Sequence, residues 1–172
     1  VSEACLNNSI MLCSPSKSFN TAGLQTANII CVDQELRQKI NHVINIYEVC
    51  DLNPFGMEAL IAAYNHSEQW LDDLRDYVYD NYLALCNFLQ TELPDWKVTR
   101  SEGTYLAWID IRSTGMTSAE LSKRLKEKGH VRVCCGTIYG QTTGEGFIRI
   151  NMATQRNRLM EGLRRIKQAM TS

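Results

Sequence analysis

The stretch between Ser67 and Pro94 constrains the fold more than any other. Trp70, Leu71, Leu74, Tyr77, Val78, Asn81, Tyr82, Leu85, Cys86, Phe88 and Leu89 recur there at helical spacing. Ser67 is the expected cap, Glu68, Asp72 and Asp73 suit the positive end of the helix dipole, and Pro94 stops the run. This is the longest helix expected in the chain of 172 residues. It reads as a spine carrying the chain from one lobe into another, with an aromatic stripe that belongs to the core.

The two flanks differ. Upstream, "SIMLC" (9–13) and "TANIICV" (26–32) read as short buried strands joined by the loop "CSPSKSFNTAGLQ". Asp33 is the expected N-cap of a helix to about Ile46, Pro54 and Gly56 mark a turn, and a shorter helix follows to about Asn65. Downstream, "WKVTR" (96–100), "TYLAWIDI" (104–111), "VRVCC" (131–135) and "FIRIN" (147–151) read as strands. In the second of these, Tyr105, Ala107, Ile109 and Ile111 oppose Leu106, Trp108 and Asp110. Thr117 to Glu120 has the pattern of a capping box, opening a helix that Gly129 closes. Leu159, Leu163, Ile166 and Met170 form the stripe of a last helix, and a glycine-rich stretch lies at 136–146. The expected architecture is α/β upstream and a small α+β layer with a mostly antiparallel sheet downstream. Its divisions fall at 1–66, 67–92 and 93–172.

Composition excludes several classes. With 44% hydrophobic and 22% charged residues and a net charge of −1, disorder and a nucleic-acid or anionic-membrane partner are not expected. No run approaches the ~18 apolar residues of a membrane span, and no signal peptide is visible. The first residue is Val, not Met, so the chain is expected to be a piece of something longer. Seven cysteines, several within apolar runs and none in a C-x-x-C pair, point to free thiols in a cytoplasmic setting. The adjacent pair Cys134-Cys135 is expected to be reduced, and His42, His66 and His130 lack metal-ligand spacing. No metal is expected. "NNS" and "NHS" match the glycosylation pattern without a secretory context.

The loop from Cys13 to Gln25 holds one lysine among Ser14, Ser16 and Ser18. Hydroxyls and backbone N–H groups suit a phosphate. A phosphate beside a single lysine at a strand end is what pyridoxal phosphate (PLP) requires. No G-x-x-x-x-G-K-[ST] phosphate loop accompanies it, so a nucleotide is not indicated.

"SPSKSFNTAGLQ" resembles the cofactor-lysine segment of the fold-type-I PLP enzymes of the class I/II aminotransferase family. It resembles more narrowly that of the cystathionine beta-lyase, or C–S lyase, branch. "LIAAYNHSEQWLDDLRDYVYDNY" is similar to that branch's interdomain helix, "EGTYLAWIDIR" to the first strands of its small domain, and "GFIRINMATQRNRLMEGLRRI" to its carboxylate-binding strand and last helix. The resemblance implies that Lys17 is the Schiff-base lysine and the acid/base at the substrate Cα. It implies that Ser14, with Ser16 nearby, contacts the cofactor phosphate, and that Arg149 clamps the substrate carboxylate. Tyr105 and Tyr139 would line the small-domain side of the pocket. Many aminotransferases of this fold carry a phosphate-binding arginine where Gln25 stands, which tilts the reading toward the lyase.

In family order, the aromatic that stacks on the pyridine ring, the groups that bond its hydroxyl and the Asp that pairs with its nitrogen all precede the lysine. Only sixteen residues precede Lys17, and the acidic one, Glu3, lies too near the first strand for that role. The implied chain is the C-terminal part of a homodimeric enzyme, the end of the large domain plus the whole small domain. Its parent would be a C–S β-lyase acting on a small amino acid. The alternatives are an aminotransferase or a non-catalytic binding or assembly domain. Alone, the chain is expected to be inactive.

Overall fold

The computed structural model describes residues 2–171. They divide into two compact units with the boundary between Asp73 and Leu74, inside the longest helix.

In the first unit, α1 (Glu3–Asn7) is a short helix that sequence reasoning did not foresee, capped by the Ser2 side chain, which accepts from Cys5 N at 3.3 Å. β1 (Met11–Cys13) and β2 (Asn28–Ile30) pair antiparallel with Met11 opposite Ile30. These are the expected strands, but they are not buried: Leu12 is 73% exposed and Ile29 46%. The apolar runs predict burial, and two strands paired only with each other cannot supply it. α2 (Gln34–Ile46) begins as expected, with the Asp33 carboxylate accepting from Leu36 N at 2.7 Å.

α3 (Pro54–His66) corrects the expected turn. Pro54 sits in the first turn of the helix behind an Asn53 cap, where its missing N–H costs nothing, and Gly56 lies inside the helix. Gly56 is there for contact: a Cβ would come within 2.0 Å of Thr26 Oγ1. Ser67 is a second correction. Its hydroxyl donates to Ala62 O at 3.2 Å, so the side chain serves the end of α3, while its carbonyl accepts from Leu71 N at 3.1 Å in the first turn of α4.

α4 (Glu68–Glu92) crosses the boundary as one continuous helix. In the second unit, β3 (Lys97–Val98), β4 (Leu106–Asp110), β5 (Cys134–Cys135) and β6 (Phe147–Asn151) form an antiparallel sheet of order β3-β4-β6-β5. β3 and β5 are shorter than the alternation at 96–100 and 131–135 predicts. α5 (Ser118–Lys128) opens with the expected capping box and ends at Gly129, where a Cβ would stand 3.0 Å from Arg165 O. α6 (Arg156–Thr171) closes the chain as described.

Ala107, Ile109 and Ile111 are fully buried as the alternation requires. They join Ile148, Leu85 and Leu89 of α4, Leu121 and Leu125 of α5, and Leu163 and Ile166 of α6 in one core. Helices therefore cover one face of the sheet. The opposite face carries Trp108, Phe147 and Arg149.

Two buried polar side chains hold the connections. Asn81, in the middle of the α4 stripe, donates to Met152 O at 2.8 Å and Thr154 O at 2.9 Å and accepts from Arg156 Nε at 2.5 Å. Ser118 Oγ accepts from Gly146 N at 2.8 Å and Phe147 N at 3.0 Å, which ties the glycine-rich stretch to the start of α5. That stretch is tightly wound. A Cβ on Gly144 would lie 2.1 Å from Gly136 O, so both positions need glycine for close backbone approach.

Candidate active site

Lys17 stands on a turn immediately after β1. The turn is closed by Phe19 N donating to Pro15 O at 2.9 Å and Thr21 N donating to Ser16 O at 3.1 Å. Pro15 is buried, Ser14 and Ser16 are half-buried, and Lys17 is exposed. An aromatic group pins the loop. Phe19 lies edge-on to Tyr64 at 5.8 Å and stacks near Trp70 at 6.0 Å, while Tyr64 OH meets Cys13 Sγ at 3.5 Å. That thiol contact is the main cause holding the Tyr64 phenol above its usual range. Asn20 and Gln25 both take left-handed φ, 54° and 52°, so the loop is shaped by side-chain-bearing residues in a conformation they seldom adopt.

The donor set of this loop fits PLP. It offers one primary amine for the aldehyde carbon and two hydroxyls, Ser14 and Ser16, that bond to no other described residue. The Thr21 hydroxyl of the same loop is buried without a partner. Gln25, exposed at the end of a 3-10 turn, offers no positive charge for the phosphate.

Arg149 belongs to the second unit, in the middle of β6. Its cross-strand neighbours are Trp108 on β4 and Cys134 on β5, so all three share the sheet face away from the core. The guanidinium carbon lies 4.6 Å from the centre of the Tyr139 ring, and Nη2 lies 3.4 Å from Cys134 Sγ. Among the described residues no carboxylate pairs with Arg149. Desolvation, then the Cys134 thiol, push the Tyr139 phenol above its usual range, and the Arg149 charge pulls it back.

Tyr105 lies just before β4, and its carbonyl accepts from Met152 N at 2.8 Å. That continues the ladder and puts Tyr105 in phase with Ala107 and Ile109, whereas Arg149 is in phase with Trp108. The structure thus brings Tyr139 to Arg149 and sets Tyr105 on the other phase of the strand. Trp108 and Cys134 are neighbours that sequence reasoning missed. The alternation of β4 put Trp108 on the face opposite Ala107, but nothing local said which strand would lie beside it.

The model of the family described as "Aminotransferase class I and II" matches residues 4–166. The chain belongs to that family. It is 40% identical over 163 residues to cystathionine beta-lyase PatB of Bacillus subtilis (strain 168), covering 95% of this chain and 42% of PatB. Among solved structures, it superposes on a PLP-bound protein of Clostridium difficile 630, provisionally named an aminotransferase. The TM-score is 0.94 and the identity 33%, covering 98% of this chain and 43% of the other. Cystalysin of Treponema denticola, which contains PLP, matches with a TM-score of 0.93 and 28% identity over 99% of this chain and 43% of its own. The chain of this aminotransferase-family member therefore spans about two fifths of the length of the relatives it matches. Among the described residues no helix is long and apolar enough to cross a membrane, and no cluster of three or more metal-ligating side chains occurs.

Proposed function

We propose that this chain is the C-terminal part of a PLP-dependent C–S β-lyase of the cystathionine beta-lyase type. The observation that carries the reading is the 40% identity to PatB along nearly the whole chain. Gln25, in place of a phosphate-binding arginine, supports it. In this reading residues 1–66 end a large cofactor-binding domain, 67–92 are the interdomain helix and 93–172 are the small domain. The parent protein is a cytoplasmic homodimer acting on a small amino acid. The seven free cysteines support that compartment.

Each residue has a stated task. Lys17 would anchor PLP through its amine, and that amine, once the substrate's amino group has displaced it, would take the proton from the substrate Cα. The Ser14 and Ser16 hydroxyls donate to the phosphate. Arg149 takes the α-carboxylate, where a planar fork of N–H groups matches two oxygens, and so fixes the substrate's orientation. Tyr139 lines the same side of the pocket, whereas Tyr105 stands on the other phase of its strand. PLP, when bound, supplies the electron sink for the charge that develops at Cα. The Cβ–S bond then breaks with its electron pair on sulfur. One water is consumed, and the products are a thiol, pyruvate and ammonia.

An aminotransferase is the second reading, favoured by the likeness to the Clostridium difficile protein. There the same Lys17 amine would carry the α-proton, and no Cβ–S bond would break. The test is the full-length protein given cystathionine without any 2-oxo acid. Pyruvate release is the expected result. Product formation only after a 2-oxo acid is added would establish the aminotransferase instead. No product and no visible PLP absorbance sensitive to Lys17→Ala would leave a non-catalytic domain.

A further inference from the structure

We propose that Trp108 is a positioning residue for Arg149, acting through Tyr139. The inference rests on the reading of Arg149 as the carboxylate-binding residue. Tyr139 is half-exposed on a 3-10 turn (Gly136–Tyr139), outside any strand ladder. Nothing in that backbone fixes its ring. Trp108 does: it meets Tyr139 edge-on, with centroids 5.7 Å apart and planes at 72°. Trp108 is itself stacked on Phe147 at 5.6 Å and 17°. Phe147 carries the Arg112 guanidinium 5.3 Å from its centre, and Arg112 is forked onto Asp110, with Nε 3.0 Å from Oδ1 and Nη2 2.6 Å from Oδ2.

One line of contacts therefore runs along this sheet face from an ion pair through three aromatic rings to Arg149. An arginine held against a ring face keeps its in-plane N–H groups for an oxygen ligand. A guanidinium already fixed by Tyr139 and the Cys134 thiol loses less freedom when a carboxylate arrives. The stack thus acts on binding rather than on proton transfer. Aromatic packing alone would affect stability and leave substrate affinity unchanged.

The experiment uses the PLP-loaded full-length protein containing this chain. KM and kcat are measured for the amino-acid substrate, and propionate binding is measured by calorimetry as a probe that needs no turnover. Trp108→Leu is expected to raise KM and the propionate Kd about three- to tenfold, the scale of a cation–π contact. In the same variant kcat should stay within about twofold, because the lost interaction is made equally in ground and transition states. Trp108→Phe, which keeps an aromatic edge, should recover most of the loss. Tyr139→Leu should give a similar effect, and the double variant should be no worse than either single one, because both act through one contact.

Unchanged KM and propionate affinity in Trp108→Leu, with Arg149→Gln weakening both, would overturn the positioning role alone. If Arg149→Gln also leaves both unchanged, the carboxylate reading of Arg149 fails and the proposal with it. Should Trp108→Leu not fold, Trp108→Val, which suits the strand, carries the test with the same expected rise in KM and propionate Kd and the same overturning result.

Discussion

Asn81 is the residue on which the second unit's connections converge. Its buried amide satisfies two carbonyls after β6 and orients Arg156 at the start of α6. Removing it leaves those buried groups unpaired, which costs more than the bonds are worth while intact. Asn81→Ala is expected to lower unfolding free energy by about 3 kcal/mol, read from urea denaturation of the full-length protein. A loss below 1 kcal/mol would mean water replaces the amide. This role was half legible: a polar residue inside an apolar helical stripe is a signal, but its partners lie far along the chain. Lys17 is the opposite case. The loop around it reads as an ordinary turn until the blocks downstream are taken with it, and the resemblance, not the periodicity, singled it out.

Among the elements, α5 is the one whose start was written most plainly. Thr117 accepts from Glu120 N at 3.2 Å, and the Glu120 carboxylate accepts from Thr117 N at 2.9 Å. Those bonds hold the Glu120 carboxyl below its ordinary value of 4.5, the backbone N–H of Thr117 being the largest cause. A carboxyl with a depressed folded pKa contributes stability above its unfolded pKa and loses it as pH falls through the folded one. Wild-type stability should therefore fall as pH drops below 4.5, and Thr117→Ala, which keeps that N–H but removes the hydroxyl that is the second cause, should reduce part of that fall. At neutral pH the same substitution is expected to cost about 1 kcal/mol. Both effects can be read from thermal melts across pH. An unaltered pH dependence in the variant would sink this account of the cap. Other boundaries were harder to read. Pro54 signals a break or a first helical turn equally well, and Ser67 faces two helix ends at once. β3 and β5 shrink because strand length depends on what lies alongside, which alternation cannot encode.

At the scale of the whole molecule, the hydrophobic core lies in the second unit. The first unit leaves Leu12, Val49 and Phe55 at least two thirds exposed. Apolar surface of this kind signals a missing contact, in keeping with a chain that spans two fifths of its relatives' length. The strands' apolar composition was legible; their exposure was not. The 172-residue chain alone is expected to bind a hydrophobic dye strongly and to show no steady turnover, whereas the full-length protein is expected to bind little dye and to turn over substrate. Turnover by the isolated chain would contradict this division of the site.

The central claim is that Lys17 is the residue through which the cofactor works. Borohydride reduction of the PLP-loaded full-length protein, followed by digestion and peptide mass measurement, tests it most directly, because reduction fixes the cofactor to whichever amine holds it. The account predicts a pyridoxyl mass on the peptide containing Lys17 and its absence in Lys17→Ala. The same mass on a different lysine, or its persistence in Lys17→Ala, would contradict it.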